Sequence, residues 1–213
     1  MGKQLNGRKE RPTGIGGTDA IRIVEGKWKD LWLEKTGEVE STDLSSVLPV
    51  QLGIFTEKFN KQWYQKITGE RVVSIDTIHH PEYNHLYGNL DGVCKGKVFE
   101  AKHTNAFAKD DTVIEKYYPQ LQHYMMVTGF KKAILSVIFG NMKYKKWEID
   151  KDEAFIQKLM KAETLFWYHV TNDIVPPDYM DFNTMEGIND FKDIIETFGI
   201  EISDESGLQG TFH

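Results

Sequence analysis

Residues 86–103 carry the feature that most restricts this fold, because the stretch reads as a β-hairpin in a single register. Lys95-Gly96 is a two-residue turn with glycine where a positive φ is needed. That turn pairs Cys94 with Lys97, Val93 with Val98, Gly92 with Phe99, and Asp91 with Glu100. Strand side chains alternate, so Glu100 and Lys102 share one face while Phe99 and Ala101 take the other. Two carboxylates set across a strand pair repel each other and destabilise the sheet. A hard divalent cation removes that penalty, and Mg²⁺ prefers carboxylate and water oxygens. Such an ion polarises a phosphoryl oxygen and lowers the pKa of a water nucleophile. Lys102 would stand ready to position that water or stabilise charge on the phosphate. In the plainer alternative Asp91 belongs to a turn, and Glu100 and Lys102 are solvated strand residues. The hairpin alone does not choose.

Around this hairpin the periodicities alternate between helical and extended. Apolar Ile21, Val24, Trp28 and Leu31 predict a helix after the turn Gly14-Ile15-Gly16-Gly17, with Thr18 as its N-cap and Asp19 in its first turn. A second helix is expected over about 48–68, with Leu48, Leu52, Phe55, Phe59 and Trp63 as its main apolar stripe and Gly69 as its stop. A strand is expected from Val72 to Ile78 and a loop from His79 to His85. Then come a helix from Tyr117 to Thr128, strands from Lys132 to Gly140 and Lys143 to Ile149, and a helix from Asp152 to Asn172. This order implies one α/β (α+β) domain, a mixed central sheet flanked by helices. The domain is expected over residues 1–172. Residues 173–213 form an acidic extension that packs on the domain or on a neighbouring subunit.

Charge sharpens that division. The chain of 213 residues has a formal net charge of −6, but residues 173–213 hold ten acidic side chains against one lysine. The rest is mildly basic, which is compatible with contact to phosphates through a local patch. The acidic end fits a solvated face, a shield against wrong DNA contact, or a docking segment. Cys94 is the only cysteine, excluding an internal disulfide framework and a four-cysteine zinc or iron–sulfur site. The apolar runs are too short to span a bilayer and the N-terminus lacks the apolar core of a signal peptide. A cytoplasmic location is expected, that of the host cell if the chain is phage-encoded. His79, His80 and His85 with Glu82 match no zinc spacing and read as a loop at the site's rim. Trp28, Trp32, Trp63, Trp147 and Trp167 read as core or subunit contacts.

Four pieces of the chain, in order, resemble a known family. Asp91 followed by Glu100-Ala101-Lys102 resembles the D…E-x-K core of the PD-(D/E)XK nuclease superfamily. Gly53 to Glu57 is similar to the G-x-x-x-E element of its exonuclease branch. Tyr117 to Tyr124 is similar to the Y-x-x-Q-x-Q-x-Y helix that follows the core strand. Gly14 to Asp19 resembles the opening motif of YqaJ-like, lambda-exonuclease-like phage recombinases. The departures are Asn89-Leu90 before Asp91, where Ser-Pro is usual, His103-Thr104 in place of Cys-Pro, and Thr18 in place of Ser.

The resemblance implies a single restriction-endonuclease-like domain with Glu57, Asp91 and Glu100 as acidic metal-site residues. It further implies the Ala101 carbonyl as an added ligand, Lys102 as catalytic lysine and Gln120 as active-site glutamine. Arg11 and Thr18 would hold a terminal 5′-phosphate, with Asn89, Tyr117 and Gln120 also on the substrate. A glycine-rich turn at a helix N-terminus suits an anion on physical grounds as well, and Arg11 could add a forked contact. The expected activity is 5′→3′ degradation of one strand of linear double-stranded DNA with Mg²⁺, or Mn²⁺ in its place. The products are 5′-mononucleotides and a 3′ single-stranded tail for recombination. By analogy the enzyme is a homo-oligomer, a trimer in lambda-type relatives, that works with a single-strand annealing protein. Two rivals stand beside this reading: an endonuclease of restriction or junction-resolving type, and an inactive fold used as a DNA-binding module.

Overall fold

The computed structural model describes residues 13–40 and 43–186. Its elements run α1 (Gly17–Val24), α2 (Trp28–Thr36), α3 (Leu48–Thr68), β1 (Ile78–His79), β2 (Tyr87–Gly88), β3 (Gly92–Cys94), β4 (Lys97–Thr104), α4 (Asp110–Thr128), β5 (Lys132–Phe139), β6 (Lys143–Asp150) and α5 (Glu153–Thr171). A short 3₁₀ turn, Phe182–Met185, follows. The main sheet has the order β3-β4-β5-β6, and β1 pairs with β2 as a separate ribbon. β3/β4 and β5/β6 are antiparallel, whereas β4 and β5 run parallel. Parallel neighbours need a crossover, and α4 supplies it. No helix among the described residues is long and apolar enough to cross a membrane.

The hairpin forms in the expected register: Cys94 opposes Lys97, Val93 opposes Val98 and Gly92 opposes Phe99. Lys95 and Gly96 both adopt positive φ, as the two-residue turn demands. The ladder stops there. Asp91 lies just outside it, and its Oδ2 accepts a 2.7 Å hydrogen bond from the Ala101 amide.

Several expectations need correction. The N-cap of α1 is Gly16, with Thr18 exposed inside the first turn. The start is set by Asp19, whose Oδ2 accepts from the Gly16 amide at 2.9 Å. The helix through Leu31 is two helices, broken at Gly26 with φ +75°. A side chain there would meet Tyr179 and the Met180 carbonyl, and the Met180 amide donates to the Gly26 carbonyl at 3.2 Å. Residues 72–78 are no strand: Val73 makes one bridge to Val93, and only Ile78 joins β1. α4 begins at Asp110, its first turn carrying Asp110 and Asp111 where the helix dipole favours them. The largest departure concerns α3, whose expected core stripe faces out: Leu48, Leu52, Phe55, Phe59 and Trp63 are all exposed. Its buried residues are Asn60 and Tyr64.

Three apolar clusters hold these elements. Trp28, Leu31 and Trp32 of α2 pack with α1, with Leu159, Leu165 and Phe166 of α5, and with Met180, Phe182 and Met185. Leu121 and Met125 of α4 cover Val98, Leu135 and Val137 of the sheet. Tyr64 of α3 packs on Phe99, Ala101 and Ile134. Of the other tryptophans, Trp147 and Trp167 are partly buried against these clusters.

Candidate active site

The alternation of β4 turns Glu100 and Lys102 toward α4, whose Gln120 and Tyr124 lie one turn apart on the facing side. Glu100 is buried; its Oε1 accepts from Lys102 Nζ at 2.6 Å and from Gln120 Nε2 at 2.9 Å. Gln120 Nε2 also reaches the Tyr124 hydroxyl at 3.0 Å, and that hydroxyl donates to the Asn89 carbonyl. Lys102 Nζ sits 4.8 Å from the centre of the Tyr117 ring, a cation–π contact. Asp91, Glu100, Ala101, Lys102, Tyr117, Gln120 and Asn89 therefore gather at one place.

The electrostatics there are unbalanced. Burial, then the nearby Glu100 and Glu57 carboxylates, push the Asp91 carboxyl well above its ordinary range. Burial also raises Glu100, although Lys102 opposes it. For Lys102 burial favours the neutral amine, but Glu100 and Asp91 outweigh it and hold the ammonium. Glu100 Oε2 is buried with no hydrogen-bond partner. An orphaned carboxylate oxygen is costly unless something else satisfies it. Hard oxygen donors with excess negative charge are what Mg²⁺ or Mn²⁺ takes, so these residues fit such an ion.

Glu57 stands nearer to Lys61 than to the buried pair. Its Oε1 accepts from Lys61 Nζ at 2.7 Å, although its charge reaches both Asp91 and Glu100. Among the described residues no three His, Cys, Asp or Glu side chains are gathered into a group able to hold a metal ion. Glu57 would have to exchange Lys61 for the ion to complete one. The histidine loop is likewise no metal cluster. His80 Nδ1 accepts from the Glu82 and Tyr83 amides, His79 bonds the Asn84 carbonyl, and His85 stacks on Trp167.

The glycine-rich turn is brought to the same place. Ile15 bridges Leu86, and a side chain on Gly14, φ +148°, would collide with the His85 carbonyl. A Cβ on Gly17 would lie 2.6 Å from the Tyr124 ring and 2.9 Å from Gln120 Cγ. The N-terminus of α1 thus abuts the two α4 residues that meet at Glu100. Thr18 opens onto that end of the helix, while Arg11 lies outside the described residues. Lys35, which sequence reading missed, donates to Asp19 Oδ2 at 2.6 Å and to the Gly14 carbonyl at 2.7 Å. A lone lysine in an amphipathic helix gives no sign of such a role.

The sequence matches the YqaJ-like viral recombinase domain over residues 8–131, more than half of the chain. The chain belongs to the YqaJ-like viral recombinase domain family. It is 35% identical over 171 residues to the uncharacterized protein YqaJ of Bacillus subtilis (strain 168). The aligned part covers 74% of the chain and 53% of that relative, so the chain spans about half of its length. Among solved structures it resembles LHK-Exo in complex with dAMP, with a TM-score of 0.65 and 20% identity over 76% of this chain and 90% of that one. LHK-Exo is an alkaline exonuclease from Laribacter hongkongensis. A phage-related exonuclease from Haemophilus somnus 129PT is similar with a TM-score of 0.60 and 12% identity over 75% and 96% of the two chains. The chain therefore shares the mixed α/β fold of these solved exonucleases.

Proposed function

We propose that this domain is a metal-dependent 5′→3′ exonuclease of linear double-stranded DNA that releases 5′-mononucleotides and leaves a 3′ single-stranded tail for phage-type recombination. The observation that carries this reading is the buried Glu100, bonded to Lys102 and Gln120 yet keeping one carboxylate oxygen unpartnered beside Asp91. Asp91 and Glu100, with the Ala101 carbonyl and with Glu57 once it exchanges Lys61, would hold Mg²⁺, or Mn²⁺ in its place. The chemistry such an ion supplies when bound is polarisation of a phosphoryl oxygen and a lowered pKa for a water. Lys102, held as an ammonium by Glu100, orients the attacking water and offsets charge growing on the phosphate. Gln120 fixes the rotamer of Glu100, and the Tyr117 ring limits how far Lys102 can swing. The Asn89 side-chain oxygen is taken by the Thr77 hydroxyl at 2.6 Å, which leaves its amide hydrogens to donate to substrate.

End recognition falls to the first turn of α1, where backbone amides and the positive dipole end favour an anion. Thr18 stands at that turn, Arg11 is assigned to the same phosphate by the family resemblance alone, and Lys35 adds a cation by exchanging Asp19 for the phosphate. The protein acts in the cytoplasm as a homo-oligomer, a trimer by analogy, together with a single-strand annealing protein. The exposed apolar face of α3 supports assembly, since large apolar patches mark interaction sites.

The test is degradation of duplex DNA with Mg²⁺, comparing 5′-phosphorylated, 5′-hydroxyl and covalently closed substrates for wild type, Lys102→Ala and Arg11→Ala. Phosphorylated ends should be consumed fastest, circles should survive, and Lys102→Ala should lose about 10²-fold or more. Arg11→Ala should lose the preference for 5′-phosphate. Equal cutting of closed circles would replace this reading with an endonuclease.

A further inference from the structure

Between α3 and the sheet lies a polar contact that none of the motifs contains. Asn60 is buried, 2% exposed, in a helix whose other buried residue is Tyr64. Its Nδ2 donates to the Lys102 carbonyl at 3.1 Å and to the Ser136 carbonyl at 2.9 Å. Its Oδ1 accepts from the Ser136 hydroxyl at 2.5 Å. Lys102 and Ser136 belong to the parallel pair β4 and β5, so one amide joins both strands to the helix. One turn earlier, the Thr56 hydroxyl meets His103 Nδ1 at 3.3 Å, and His103 Nε2 bonds the Gly140 carbonyl at 2.7 Å. Glu57 lies between these two anchor points in the helix.

We propose that Asn60, with the Thr56–His103 contact as a second anchor, is a positioning residue that fixes α3 against β4 and so sets Glu57 relative to the buried Asp91 and Glu100. The claim rests on the nuclease reading for what Glu57 does, but not for where the helix sits. Apolar packing gives α3 few fixed points on the sheet, since Tyr64 is the single large side chain it buries and Trp63 adds one edge contact to Tyr144. An amide bonded to three fixed partners does not slide without leaving buried carbonyls and a hydroxyl unsatisfied, which is expensive. Groups that orient metal ligands in this way change metal affinity by about ten- to a hundredfold when removed.

The experiment compares wild type with Asn60→Ala, Ser136→Ala and Thr56→Val by crystal structure and by Mn²⁺ binding, read from the electron paramagnetic resonance of the DNA-free protein. The expected result for Asn60→Ala is an α3 displaced along β4 and Mn²⁺ affinity reduced about ten- to a hundredfold. Thr56→Val, in the more exposed anchor, should give a smaller shift in the same direction. An Asn60→Ala protein with α3 in place and Mn²⁺ affinity unchanged overturns the proposal. If Asn60→Ala does not fold, Ser136→Ala and Thr56→Val decide on the same two readouts. Wild-type protein that binds no Mn²⁺ would sink the nuclease reading, while the helix position in the variants would still decide this one.

Discussion

The two faces of α3 reverse the usual arrangement. Inward it presents Asn60 and Tyr64, the latter 1% exposed and edge-on to Phe99 at 5.0 Å. Outward it presents Phe55 at 82% exposure and Leu48 at 68%, with Phe59 stacked on Trp63, whose ring also meets Tyr144 edge-on at 6.4 Å. An apolar stripe normally marks the side a helix buries. Here the polar side is buried, because an asparagine finds three partners in the sheet, and the apolar side is left for something else. Period locates a helix well. It does not say which side faces the core when the buried contact is a specific hydrogen-bond set.

That contrast can be broken by mutation. Tyr64→Ala removes the ring on Phe99 and Ala101 and should cost about 3–5 kcal/mol of unfolding free energy in urea, the range for large core truncations. A cost near that of an ordinary surface change would mean the inner face is not what holds α3.

A smaller effect is expected below the same ring. The Tyr64 hydroxyl donates to Glu70, which Lys95 also pairs at 3.0 Å, and the carboxyl is held down to about 2. A carboxyl depressed in the fold stabilises it above its unfolded value near 4.5, and that contribution fades as pH falls toward 2. Wild type should therefore lose stability over this window more steeply than Glu70→Gln in acid unfolding titrations. Parallel curves would mean the bond contributes nothing.

The outer face should register least of all. Phe55→Ser and Phe59→Ser should each change unfolding free energy by no more than about 0.5 kcal/mol. If the face covers a second copy, the same pair should lower the mass seen by sedimentation. A folding penalty of several kcal/mol from either change would show that the face is not bare, and the comparison would fail.

What the sequence disclosed follows from how local each signal was. The β3–β4 register was legible because Lys95-Gly96 fixes it within a few residues. Gln120 was legible from motif and then found on Glu100. Asn60 and Lys35 were not, since each acts on backbone distant in sequence and both look like ordinary solvated residues. Thr18 is not the cap because the helix starts earlier, at Gly16, where Asp19 in the first turn accepts from the Gly16 amide. The stripe of α3 misled for the reason already given, a non-local polar partner.

The ends of the main sheet bear on how copies of this protein can meet. Among the described residues one outer strand, β3, has three residues, and the other, β6, carries Lys143, Lys145 and Lys146 within eight. Short or lysine-rich outer strands discourage a second chain from extending the ladder, because the incoming backbone finds little length to pair with or repelling charge. Copies that assemble are thereby turned away from open-ended strand addition, which runs on into fibres, and toward helix surfaces, where a closed ring of fixed number can form.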